Sequence, residues 1–429
     1  MSNTLIKKNQ IFLILTFFSL AQIQFKTPNF PGFYPFHKIS IISLTLYFMY
    51  FYFRKNYKMI FFNNIKINII EILLLIIFVF QFYLNFININ FSENTIDQRV
   101  EKNFIYTNTV IFLTFIVTKI VFSSNQKKLS YLNNFFICFI FINLIAHFIL
   151  NYFELSYQNY NYNYNYNIFY EKRIFALTGN PQYLALATIF PILYFLNKPK
   201  KTLNSIFFFC VAVFVLLWTE SRSSIIAIIL SLNLLYFYTF FVNFKFFYFE
   251  KKKLLIKFLL FFMIILFTTS IIFFLLDILG AMNLNKLLTG NILDVIIRKD
   301  NFDHSRIFFL NKSLENYFIN YSFYNVLFGG MDSKYDFNFY IASIKKFGFP
   351  FIILYMILNY VTFKIIFNDF LKKKNKENII MLQLILFNLI YSFGISFLLD
   401  TFLNLHIFLF FIPILYAINI INEKRITIK

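Results

Sequence analysis

Residues 257–277 read Lys257-Phe-Leu-Leu-Phe-Phe-Met-Ile-Ile-Leu-Phe-Thr-Thr-Ser-Ile-Ile-Phe-Phe-Leu-Leu-Asp277. No charge interrupts the run between the lysine and the aspartate. A helix of ~20 apolar residues spans the hydrocarbon core of a bilayer, which is about 30 Å thick. Beyond Asp277 the character changes. Residues 277–346 mix polar and apolar side chains and hold Arg298, His304, Arg306, the pair Gly329-Gly330 and Asp336. One stretch thus sets out the expected plan, a membrane helix that ends in a large polar loop.

Working outward, the same kind of run recurs. Twelve spans are expected, roughly 9–25, 39–53, 67–89, 104–123, 131–151, 180–197, 203–219, 223–243, 253–276, 347–367, 379–398 and 403–422. The 429 residues are 59% hydrophobic and only 14% charged, where a soluble domain carries about 25% charge. The expected fold is therefore all-α: one polytopic membrane domain over 1–429, with residues 277–346 as a large external loop containing short helices. Lys7-Lys8 followed by Ile11–Leu20 and Ser19-Leu20-Ala21 also has the form of a signal peptide. An uncleaved first span is the preferred reading in a polytopic chain.

Positive charge orients the helices. With the N-terminus inside, the inner segments collect the lysine clusters, among them Lys127-Lys128, Lys198 to Lys201, Lys251 to Lys253 and Lys372 to Lys374. The short outer loops hold few cations, chiefly Lys26, Lys38, Arg99, Lys102, Lys172, Arg173 and Arg222. Both termini are expected in the cytoplasm and the 277–346 loop on the far side. The net charge of +21 then reads as topology signal and contact with anionic headgroups, and not as a nucleic-acid surface. Cys138 and Cys210 both fall in apolar runs, so neither a disulfide framework nor a zinc site is expected.

On this topology His147, Glu154, Arg173, Glu220, Arg222, Asp277, Asp400 and His406 all fall near outer ends of spans. The inner loops hold little but lysine. Ion-coupled carriers tend instead to place charges and broken helices at the midplane. An active site at the outer surface is the expectation. The Tyr/Asn alternation of residues 160–167 is low in complexity and is assigned no role.

Three stretches carry a family likeness. They are Arg173-Ile-Phe-Ala-Leu-Thr-Gly179-Asn180-Pro181-Gln182-Tyr-Leu-Ala185, then Thr219-Glu220-Ser221-Arg222-Ser223-Ser224, then the loop, with Ser305-Arg306, Val326-Leu-Phe-Gly329-Gly330, Asp336-Phe-Asn338-Phe-Tyr340-Ile341 and Phe347-Gly348. Together, across about residues 100–420, they resemble the O-antigen ligase and polymerase superfamily of GT-C type membrane glycosyltransferases. The resemblance implies transfer of a glycan from an undecaprenyl-diphosphate carrier to a lipid-linked acceptor at the periplasmic face of a bacterial inner membrane. A chain-length regulator is a further partner it leaves room for.

The departing lipid diphosphate gathers negative charge. Arginine forks bind phosphate oxygens and keep their own charge. Arg173, Arg222 and Arg306 are the candidates to hold it, and Arg298 ranks behind them. Asp336 is the leading candidate to take the acceptor's proton, with His304 second and Arg306 beside them in the catalytic set. The superfamily's ligases carry a His-Asn pair before the glycine that opens the next span. Here the Asn matches Asn338 and the His position is Phe337, which favours a polymerase. The ligase and a carrier of lipid-linked sugar remain the alternatives. No nucleotide or metal motif occurs, and no cofactor is expected.

Overall fold

The computed structural model describes residues 68–91, 128–152, 174, 181–198, 202–219, 221–246, 323–329, 338–373, 375–393 and 404–426. Among them every regular element is a helix. The long ones are α1 (Ile69–Phe91), α2 (Lys128–Tyr152), α3 (Pro181–Asn197), α4 (Leu203–Trp218) and α5 (Arg222–Phe246). Two short helices from the expected external loop follow, α6 (Phe323–Phe328) and α7 (Phe339–Phe347). The last three are α8 (Phe349–Lys373), α9 (Lys376–Tyr391) and α10 (Asn404–Ile426).

Among the described residues two helices have the length and apolar character to cross a bilayer, over Leu132–Ile149 in α2 and Phe349–Lys373 in α8. Shorter apolar helices occupy Ile69–Phe80, Leu203–Trp218, Ser223–Tyr236 and Leu409–Asn422. The expected spans 9–25, 39–53, 104–123 and 253–276 lie outside the described residues.

Side-chain partners fix the relative directions of the helices. Phe195 of α3 stacks on Phe208 of α4, so these neighbours run antiparallel. Phe141 of α2 meets Phe208 and His147 of α2 meets Trp218, so α2 and α4 run parallel. Asn378 and Asn388 of α9 bond to Tyr416 and Leu409 of α10, an antiparallel pair. Tyr238 of α5 meets Phe363 and Phe367 of α8. One end of the bundle, the loop end, therefore gathers Trp218, the start of α8 and the finish of α9. The other gathers Lys198, Lys372, Lys373 and Lys376 and is the lysine end.

Along its first half α8 exposes Ile353, Met356, Ile357 and Tyr360, where a water-soluble amphipathic helix would show polar residues. Its buried face is mostly apolar and also holds Asn359, Thr362 and Asp369. The buried polar groups are largely satisfied within their own helices: Asn359 donates to Tyr355 O, Thr362 to Leu358 O, Asn143 to Phe139 O and Ser231 to Ile228 O. Such back-bonding to the preceding turn lets a polar residue sit in apolar surroundings without a partner helix.

Helices α3 and α9 form the centre. Both are almost wholly buried, α3 with Ala185, Ala187 and Thr188 along its length. Small residues allow backbones to approach closely. A proline interrupts α3 at Pro191 and α10 at Pro413. The sequence shows almost no ionisable group and no clearly broken helix in the middle of the spans. The structure adds uncharged amides and hydroxyls there, together with the two interior prolines.

Candidate functional site

The loop end carries three junctions. The first joins the Arg173 and Arg222 motifs. Ile174 N–H donates to Trp218 O at 3.4 Å, so the residue after Arg173 is tied to the last residue of α4. Thr219 then closes α4, its hydroxyl donating to Leu216 O. Ser221 O accepts the first bond of α5 from Ile225 N–H, and the Ser221 and Ser224 hydroxyls lie 2.8 Å apart. Arg222 is thus the first helical residue of α5. The start of a helix carries partial positive charge, which favours anions and disfavours a cation. An arginine at this position does not serve helix stability.

Trp218 is the only tryptophan in the chain. Its ring meets His147 edge-on at 5.2 Å, with Phe148 at 6.1 Å and Phe214 at 5.4 Å. Phe148 and Phe214 are exposed. Aromatic groups with one wet and one apolar side collect at membrane–water boundaries.

The second junction seats the exit of the large loop. A helix leaves its last carbonyls without intrahelical partners. Three consecutive residues supply them to α9. Asn338 Nδ2 donates to Phe393 O at 3.1 Å, Phe339 N–H to Ser392 O at 2.9 Å, and Tyr340 Oη to Leu389 O at 2.7 Å. Asn338 also caps α7, its Oδ1 accepting from Tyr340 and Ile341 N–H. The tripeptide is at once the start of one helix and the end cap of another. Burial holds the Tyr340 hydroxyl above its ordinary pKa, opposed by a hydrogen bond from Ser392, so Tyr340 keeps its proton. The Asn that matches the ligase motif therefore has a structural task.

The third junction joins two parts of the loop motif. Gly348 ends α7 with φ +81°, and a Cβ built on it would lie 2.2 Å from Leu327 O and 2.9 Å from Phe328 N. Only glycine admits that approach. Gly329 takes φ +71°, so the chain turns as it leaves α6. The Val326–Gly330 and Phe347-Gly348 stretches, some twenty residues apart in sequence, are in contact here.

All three junctions stand at one end of the bundle, because the chain directions place the end of α4, the start of α8 and the end of α9 together. Of the candidate residues, Arg222 has a described backbone position. Arg173, His304, Arg306 and Asp336, together with Arg298, lie outside the described residues.

No family model, no curated protein and no solved structure matches this chain. The site has to be read from its own residues. Tyr340 and Lys345 stand in the loop motif and its exit in the sequence, where nothing local gives either a role. Lys345 is only 5% exposed, and lysine is almost never so buried unless it is paired. Its position three residues before Gly348 was visible, its burial was not.

Proposed function

We propose that this protein is a membrane glycosyltransferase that polymerises O-antigen repeat units on undecaprenyl diphosphate, at the periplasmic face of a bacterial inner membrane. The observation that carries the reading is the gathering of motif segments at one end of the helical bundle: Ile174 on Trp218 beside Arg222, and Leu327 on Gly348. The apolar exposed face of α8 supports a lipid surround. The tie of Ile174 to Trp218 stands beside the start of α5, and a helix start favours an anion.

In the proposed step an acceptor sugar hydroxyl attacks the anomeric carbon of the polymer held on its lipid diphosphate. The new carbon–oxygen bond forms as the bond to the diphosphate breaks, and the hydroxyl proton passes to Asp336 or His304. Arg173, Arg222 and Arg306 stabilise the charge that gathers on the departing diphosphate. The donor and acceptor are lipid-linked glycans, and the arginines supply the positive charge.

Deleting the gene and running lipopolysaccharide on a gel tests the reading. Core with a single repeat unit is the expected product. Bare core with lipid-linked polymer would point to the ligase. An unchanged ladder would end the proposal.

A second reading has one observation in its favour. Pro191 and Pro413 interrupt central helices among buried amides, a feature shared with carriers. A carrier of lipid-linked sugar would trap single units on the cytoplasmic side when deleted.

A further inference from the structure

We propose that the lysine end of the bundle is a permanent polar clamp, so that this protein is reached from its loop end alone and does not open alternately to the two sides of the membrane. The inference rests on the membrane reading above and deepens it, since it separates an enzyme working at one face from a carrier.

The clamp is built from four helices. Asn378 of α9 is fully buried. Its Nδ2 donates to Asp369 Oδ2 of α8 at 3.2 Å, and its Oδ1 accepts from Tyr416 Oη of α10 at 2.7 Å. One amide thus uses both its functions to join three helices. Asp369 is 2% exposed, and Lys373 Nζ stands 3.5 Å from its Oδ1. A turn further along α9, Gln383 Oε1 accepts from Asn197 Nδ2 of α3 at 2.8 Å. Asn197 donates as well to Leu193 O, the carbonyl one turn back in α3, which fixes its amide. Gln383 is 1% exposed.

Parting α8 or α10 from α9 would take from the buried Asn378 amide its carboxylate and phenol partners, while Asp369 keeps Lys373 of its own helix. A buried amide left without its partners costs more than the bonds contribute. The loop end is tied differently. There α9 is held by Asn338, Phe339 and Tyr340, which belong to the loop and bond main-chain carbonyls. Near this end Asn388 of α9 also donates to Leu409 O of α10; these ties end on main-chain carbonyls, with no carboxylate among them. A carrier must part its helices at each end by turns, and the clamp opposes that at one of them.

Two measurements test this. In a chain with C138A and C210A, cysteines replace Asn197 and Gln383, a bis-maleimide joins them in membranes, and a protease site placed within 277–346 lets a gel count the joined fragments. The O-antigen ladder should persist in full in the joined protein; its loss would overturn the clamp. The second measurement needs no activity. Spin labels on L196C and E377C, both at exposed positions of the lysine end, are read in lipid nanodiscs with and without undecaprenyl diphosphate. One narrow distance in both conditions is expected, and a second population would refute the proposal. A gene deletion that left the ladder unchanged, together with a single narrow distance, would remove the polymerase reading and leave the clamp standing.

Discussion

Asn388 of α9 donates its side-chain amide to the carbonyl of Leu409 in α10, 3.2 Å away, and Leu409 is the residue whose carbonyl Pro413 leaves without an intrahelical donor. A proline four residues on removes the N–H that would close the turn. In apolar surroundings a neighbouring helix must supply the missing bond. The break in α10 is therefore repaired by α9 and becomes a junction between the two.

The repair predicts a coupled pair. Asn388→Leu should cost about 1–2 kcal/mol, the range for a lost bond that leaves a buried carbonyl unpaired. Pro413→Ala restores the N–H and should remove most of that cost. A double-mutant cycle read by thermal unfolding in detergent gives the coupling. Strict additivity would show that the two residues do not share the carbonyl.

Gly348→Ala should loosen the seat of the large loop. The new methyl would meet Leu327 O at 2.2 Å, and the residue would be held at φ +81°. A non-glycine residue in such a conformation costs on the order of 1–3 kcal/mol before any clash. Limited proteolysis should cut the 323–347 region faster in the variant, while the segments around α3 and α9 stay protected. Equal cutting of both would mean that the glycine supports the whole bundle.

Tyr340→Phe should leave Leu389 O without its donor and destabilise the loop exit by about 1–3 kcal/mol. The pH dependence has a definite sign. Burial raises the folded-state pKa of Tyr340, so the folded protein holds this proton more tightly than the unfolded chain. Its contribution is complete below about pH 10, the ordinary tyrosine value, and falls as pH rises toward the folded pKa. Unfolding midpoints should drop above about pH 10 in the parent. The Tyr340→Phe variant should show a smaller drop.

Trp218 serves as a depth gauge, since it is the only tryptophan and Phe148 and Phe214 beside it are exposed. In vesicles its emission should be quenched more by lipids brominated near the top of the acyl chain than near its end. The reverse order would place Trp218 at the bilayer centre and move the anion site of α5 away from the surface.

These relationships divide into those visible in the residues and those that are not. The apolar runs match α1, α2, α3, α4, α5 and α10 within a few residues, because a helix of apolar side chains needs no knowledge of its neighbours, while α9 ends at Tyr391 where the run suggested 398. The shift at α8, which extends to Lys373 where the run suggested 367, reflects exposed Asn368, Lys372 and Lys373 with buried Asp369 continuing the helix past the apolar run. The pairing of Asn338 with Phe393 crosses 55 positions, and nothing local in either residue announces the other. The same holds for Asn197 and Gln383. Interior amides escaped a reading tuned to charge, since an Asn in an apolar run looks tolerable until its partner is known. Gly348 was marked by its place before a span, and the structure supplies the reason, which is Leu327.

The arginines give the most direct test of the proposed chemistry. Arg222 opens α5 beside the tie between Ile174 and Trp218, while the sequence motifs add Arg173 and Arg306. If they hold a departing diphosphate, each Arg→Ala change should lower polymerisation by about 10²–10³-fold, the scale for removing one preorganised electrostatic stabiliser. Insertion should stay near that of the parent, and for Arg222 thermal stability should too, because a cation at the first turn of a helix does not stabilise it. Lys should restore little, since its point charge lacks the two-pronged geometry that matches phosphate oxygens. The measurement is incorporation of repeat units in membranes carrying equal amounts of each variant. Full activity in all three alanine variants would separate the anion site from the reaction, and rescue by lysine would show that charge alone, without the fork, is what the site requires.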